Sequence, residues 1–304
     1  MTSTTDAIRA SNLACRYGRT DAVAGLTFSV PEGSLFALLG PNGAGKTTTI
    51  RVLMNIMRPS NGEATVLGVD TRRLGHRELQ TIGYVSENQK LPMWMTVAEL
   101  LAFCRPFYAT WDDDLCRKLI DEFDLPANAK LARLSRGMRV KAALVSSLAY
   151  RPRLLVLDEP FSGLDPVVRD DLIRGVLELA GEEHWSVLIS SHDLDEVERL
   201  VDAVGFMDAG RLVMIAPLAE LHARFRRVEI TVDASPALTA PLPPHWTGVQ
   251  TSGRVVRVIE TAYVPGETER LAAASFPGGS VEVFPMTLRE IFVTVARRQR
   301  EARS

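Results

Sequence analysis

An α/β fold built on a parallel core sheet is expected for the first two-thirds of this 304-residue chain, and a small α+β domain for the remainder. Three observations predict it. Short, almost uninterrupted apolar runs recur at LFALLG (35–40), IGYVSE (82–87), LLVLDE (154–159) and VLISSH (187–192), as strands buried on both faces require. Stretches with helical spacing lie between them, so the crossovers are helical. After about residue 225 the pattern changes to alternating runs with a proline-rich interval.

Taken in order, IRASNLACRY (8–17) and AGLTFSVPEG (24–33) alternate and predict a small antiparallel sheet on one edge. KTTTIRVLMNIM (46–57) is a helix that Pro59 stops. Residues 96–150 form a mainly helical insertion between two core strands. In the last part, RRVEITVD (226–233), GRVVRVIE (253–260) and GSVEVFP (279–285) are strands, and ETERLAAASF (267–276) is a helix. SPALTAPLPPHW (235–246) is a loop, and TLREIFVTVARRQR (287–300) is a closing helix with Thr287 as its cap. The expected domains are therefore 1–224 and 225–304.

Composition narrows the function. Hydrophobic residues make up 46% and charged residues 24%, which suits a soluble domain with a real core. The net charge of -2 argues against a general nucleic-acid binder. No apolar run approaches the roughly 20 residues of a membrane span, and MTSTTDAIRA (1–10) lacks a signal pattern. Cys15, Cys104 and Cys116 have no metal-ligand spacing and are expected as reduced, mostly buried thiols of a cytosolic protein.

GPNGAGKT, residues Gly40, Pro41, Asn42, Gly43, Ala44, Gly45, Lys46 and Thr47, follows a strand and opens a helix, with Thr48 next. Glycines let backbone N–H groups turn toward phosphate oxygens, Lys46 reaches the terminal phosphates, and the Thr47 hydroxyl can ligate Mg²⁺. At the end of LLVLDE, Asp158 can support the same cation. Glu159 is placed to polarise an attacking water as general base, or else to cap a helix or pair with an arginine. RLSRGMRVKAAL (133–144) is a second helix start, with Ser135 as N-cap and Gly137 leaving space beside it.

These motifs, in this order, resemble the ATP-binding subunit of an ATP-binding-cassette (ABC) transporter over residues 6 to about 220. GPNGAGKT matches the family's Walker A loop, LLVLDE its Walker B strand, LSRGM (134–138) its signature, SGLD (162–165) its D-loop and SSH (190–192) its switch histidine. The resemblance implies an ATPase using ATP and Mg²⁺. It implies separate integral-membrane permease subunits and a second cassette, the same or different, closing head to tail. Ser135 and Gly137 would then bind the partner's ATP. Asp165 would serve the D-loop, His192 would contact the γ-phosphate, and Tyr17 would stack on adenine, although Tyr17 also fits a sheet-edge aromatic. The small C-terminal domain resembles that of bacterial multidrug and antibiotic exporters, and the location implied is peripheral, on the cytoplasmic face of the membrane. The competing class is a soluble ABC ATPase acting on ribosomes or DNA. Those proteins resemble two fused cassettes or carry coiled-coil insertions.

Three departures stand out. Arg136 and Met138 occupy signature positions where the family usually has glycine and glutamine. Glu87 stands at the Q-loop glutamine, where its carboxylate can approach Mg²⁺ or the water, with Gln89 as the alternative. Phe161 replaces a common threonine. LPMWMTVAELL (91–101) is either insertion core or a docking groove for membrane subunits. ARRQREARS (296–304) is either a solvated tail or a contact for anionic lipid.

Overall fold

Apolar content alone decides the centre of the first unit: strand β3 (Leu35–Leu39) has four of its five residues fully enclosed. The computed structural model describes residues 5–87, 89–233 and 242–301. Most of the proline-rich run at 235–246, the first four residues and the last three of the basic tail lie outside these.

β1 (Asp6–Tyr17) and β2 (Thr20–Pro31) precede β3 and pair antiparallel. Helix α1 (Lys46–Leu53) leaves the phosphate loop, and β4 (Asn61–Val66) and β5 (Val69–Asp70) follow it. The edge sheet has the order β2-β1-β4-β5, two strands more than the alternation at 8–33 predicts. A short α2 (His76–Leu79) then leads to β6 (Ile82–Ser86).

The insertion carries α3 (Val97–Cys104), α4 (Asp113–Glu122) and α5 (Arg136–Leu148). Each has a cap that the sequence supplies: Thr96 with Glu99 in a reciprocal box, Asp112 onto two backbone N–H groups, and Ser135 onto Met138 N. Tyr150 closes it, stacked 3.7 Å on Tyr108 with its hydroxyl donating to Ile82 O.

The chain continues through β7 (Leu154–Asp158), α6 (Pro166–Glu182), β8 (Ser186–Ser191), α7 (Leu194–Val197), β9 (Ala203–Asp208) and β10 (Arg211–Pro217). The core sheet has the order β10-β9-β3-β8-β7-β6. The pairs β3/β8, β3/β9, β6/β7 and β7/β8 are parallel. Register aligns Leu39 with Ser191, Asp158 with Ser190, and Ser86 with Asp158. The C-terminal ends of four strands therefore form one transverse row, the usual seat of ligands in open α/β sheets.

Two compact units divide at Met1–Leu212 and Val213–Ser304, about a dozen residues before the expected boundary near 225. The reason is α8 (Leu218–Arg224): Leu221 is fully buried, and His222 Nδ1 lies 3.2 Å from Met286 O in the second unit. That unit continues with β11 (Arg226–Thr231), β12 (Trp246–Ser252), β13 (Val255–Glu260), α9 (Glu267–Ser275), β14 (Ser280–Pro285) and α10 (Leu288–Glu301). Its antiparallel sheet has the order β12-β13-β11-β14. Val228, Ile230, Val256, Val258, Trp246 and Phe276 make its core. The fully buried Glu260 carboxylate accepts from Trp246 Nε1, Thr268 Oγ1 and Ala262 N, the compensation that burying a carboxylate requires. Thr287 caps α10 in a reciprocal box with Glu290.

Candidate active site

The loop between β3 and α1 turns back on itself through Gly45, whose φ of 103° excludes most side chains and whose Cβ would lie 2.4 Å from Ala22 O. The first-turn N–H groups of α1 have no intrahelical partner, an arrangement that favours anions. A cavity of about 440 Å³ opens there. Residues 42–48 of the loop and the start of α1 line it together with Glu87, Glu159, Ser162 and His192. Gly40 and Pro41 sit behind it, where their carbonyls accept from Lys46 Nζ at 2.6 and 3.2 Å.

The charged groups form one connected set. Lys46 Nζ lies 3.0 Å from Glu159 Oε1, both nearly enclosed. His192 Nδ1 lies 2.7 Å from Glu159 Oε2. Thr47 Oγ1 and Ser190 Oγ both donate to Asp158 Oδ1, at 3.0 and 2.8 Å. Burial pushes the Asp158 carboxyl above the usual carboxylate range, and those two hydroxyl donors pull the other way. Glu159 has a positive φ of 50°, a sparsely populated conformation held by its N–H bonding to Ser190 O and Oγ.

Thr47 and Asp158 are hard oxygen donors side by side, a set that suits Mg²⁺. Among the described residues no cluster of three or more His, Cys, Asp or Glu side chains forms a metal cage. A Mg²⁺ ion commonly takes one or two protein ligands and completes its shell with phosphates and water, so the donor set fits that ion.

The other expected residues lie apart from this cavity. Tyr17 ends β1, 46% exposed, with its hydroxyl donating to Met57 Sδ. Ser135 caps α5, and Asp165 caps α6 by accepting from Val167 N. The space beside Gly137 is taken by its own chain: a Cβ there would lie 2.9 Å from Val168 Cγ1. The glycine thus serves close packing of α5 on α6, which sequence spacing did not reveal. Gln89 lines a separate groove of about 510 Å³ with Leu91, Met93 and Arg139, whereas Glu87 reaches the phosphate cavity. Phe161, unexplained in sequence, is buried against Leu157, Ile173 and Val187. The thiols of Cys15, Cys104 and Cys116 are all pushed upward by burial, Cys116 to about 11, which makes them poor nucleophiles.

A phosphate loop, a carboxylate on the neighbouring strand end and a second carboxylate beyond it define a nucleotide-hydrolysing P-loop ATPase. Comparison with known proteins narrows this. The ABC transporter family model matches residues 23–162. The chain is 32% identical over 222 residues to the bacitracin transport ATP-binding protein BcrA of Bacillus licheniformis, covering 72% of each chain. It is 31% identical over 296 residues to the Nod factor export ATP-binding protein I of Neorhizobium galegae, covering 94% of this chain and 83% of that one. A solved ATP-binding subunit of an ABC transporter superposes with a TM-score of 0.64 at 28% identity, covering 72% of this chain and 92% of the other. The chain belongs to the ABC transporter ATP-binding proteins, ATPases whose hydrolysis powers transport.

Proposed function

We propose that this chain is the Mg²⁺-dependent ATPase subunit of an exporter, working as a dimer of cassettes beneath separate membrane permease subunits. The observation that carries the site assignment is the convergence of Lys46, Thr47, Glu159 and His192 on one cavity at the strand ends, with Asp158 behind it on the Thr47 hydroxyl. The α1 N-terminus and Lys46 receive the terminal phosphates. Thr47 and Asp158 hold the cation, which supplies charge neutralisation when bound. Glu159 orients and deprotonates water, and His192 fixes the Glu159 carboxylate. Tyr17 stacks on the base outside the phosphate cavity. Ser135, Gly137 and Asp165 face the nucleotide of a second cassette.

Export is supported by the Nod factor relative, whose likeness extends through the C-terminal unit. No helix among the described residues is long and apolar enough to cross a membrane, so the pathway is assigned to permease subunits and the chain to the cytoplasmic face. The insertion offers them a surface: Trp94 is 73% exposed, Phe103 and Phe107 are exposed with rings 5.5 Å apart, and Met93 and Leu91 line the groove. The second unit is assigned an accessory role in dimer contact or regulation.

Phosphate release from Mg²⁺-ATP tests the assignment. The purified chain should hydrolyse ATP, Lys46→Ala should lose nucleotide binding, and Trp94→Ala with Phe103→Ala should lose only capture by the permease. Undiminished ATP binding by Lys46→Ala, measured by calorimetry, would refute the phosphate-loop assignment.

A further inference from the structure

Glu87 and Arg136 are the two charged departures noted in the motifs, and they meet. Arg136 Nη2 lies 2.9 Å from Glu87 Oε1, across 49 residues of chain. Glu87 follows β6, where its N–H donates to Asp158 O, and its side chain lines the phosphate cavity. Arg136 is the first residue of α5 and lines the neighbouring groove. Its guanidinium lies against Gly163: a Cβ at Gly163 would come within 3.2 Å of Nη1, so the glycine leaves the arginine its path.

The charges around the cavity make the pair consequential. Among the described residues Lys46 is the one lysine or arginine on its lining, beside His192, against the carboxylates of Glu87 and Glu159, with Asp158 just behind. An incoming polyphosphate is itself strongly anionic. A carboxylate at position 87 therefore opposes the ligand wherever no cation compensates it. Both partners remain partly exposed, 47% and 34% for their side chains, so the bond contributes little to folding and exchanges readily.

We propose that Arg136 is a positioning residue for Glu87: it holds the carboxylate at the cavity wall and offsets its charge until a divalent cation takes over that task. This rests on the cavity being the nucleotide site. Two predictions distinguish it from a structural clasp: removing the guanidinium weakens nucleotide binding chiefly when metal is absent, and removing the carboxylate as well cures the defect.

The test is calorimetric titration of ADP into the full chain, with EDTA and then with Mg²⁺, for wild type, Arg136→Gln, Arg136→Lys, Glu87→Gln and the double variant Glu87→Gln/Arg136→Gln. Thermal melts confirm that each is folded. Arg136→Gln should lose affinity about three- to ten-fold in EDTA, the scale of one uncompensated charge in a partly solvated site, and recover most of it with Mg²⁺. Arg136→Lys should stay close to wild type, and the double variant should return to within about two-fold of it in EDTA. Equal losses in the single and double variants, or a loss in Arg136→Gln that Mg²⁺ does not change, would overturn the proposal. Lys46→Ala separates the two failures: if wild type binds ADP no better than Lys46→Ala, the nucleotide site itself is misassigned and the role of Arg136 falls with it.

Discussion

The Lys46 ammonium and the Glu159 carboxylate form an ion pair at 3.0 Å, and His192 holds the other carboxylate oxygen. The cation assigned to the terminal phosphate thus already holds the acid assigned to the water. A nucleotide whose terminal phosphate takes Lys46 is expected to compete with Glu159 for that ammonium.

Glu159→Gln should therefore do two opposite things. Loss of the general base should cut phosphate release by roughly 10²–10⁴-fold. Loss of the competing charge should tighten nucleotide binding by a few-fold in calorimetry. A variant with slowed hydrolysis and weakened binding would show that the pair supports Lys46 rather than competing with the ligand.

Asp158→Asn should raise stability while impairing metal use. Burial raises the Asp158 carboxyl, so the folded chain holds that proton more firmly than the unfolded chain. Its contribution to stability is then fully present below the ordinary carboxylate value and is lost as pH rises through the folded value. Above the folded value the ionised group costs stability, and an amide oxygen still accepts from Thr47 and Ser190. A higher melting temperature than wild type is expected where the carboxylate is ionised. The gain should shrink as pH is lowered, and Mg²⁺ should stimulate the variant less than wild type.

Gly137→Ala should be destabilising by about 1–3 kcal/mol, because the new methyl meets Val168 at 2.9 Å. Val168→Ala in the same chain should restore most of the stability, and the ATPase with it. If denaturation shows stability restored but phosphate release stays low, the missing side chain matters to a ligand as well as to packing.

Tyr17→Ala should leave the melting temperature nearly unchanged, since the ring is half exposed. Nucleotide affinity should drop by about 1–3 kcal/mol if the ring stacks on the base. Tyr17→Phe, which keeps the ring and loses only the hydroxyl bond to Met57, should bind as wild type does.

The core strands, the start of the Ser135 helix and the phosphate loop were legible because each has a local signal: unbroken apolar runs, Ser135 before helical spacing, glycines before Lys46. β4, β5 and β12 were not. Asn61–Val66 begins with turn residues, and Trp246–Ser252 follows directly on the proline-rich run. What α8 packs against is not written in its own residues: Leu221 is fully buried and His222 lies at Met286 O. At the site, residue types were readable and partnerships were not. Glu87 with Arg136, Gly137 with Val168, and Lys46 with Glu159 are contacts between segments 31 to 113 residues apart, and only folding brings them together.

The transverse row at the strand ends has a consequence for how such a chain can drift. Leu39, Ser191, Ser190, Asp158 and Ser86 are aligned by counting residues along paired strands. Deleting one residue within β7 would turn Asp158 to the other face and shift it by about 3.3 Å along the strand. No compensating substitution elsewhere restores that count. Changes of length can accumulate only in the connections, as the long helical excursion between Ser86 and Leu154 illustrates. Inheritance of the strands is confined to exchange of one side chain for another.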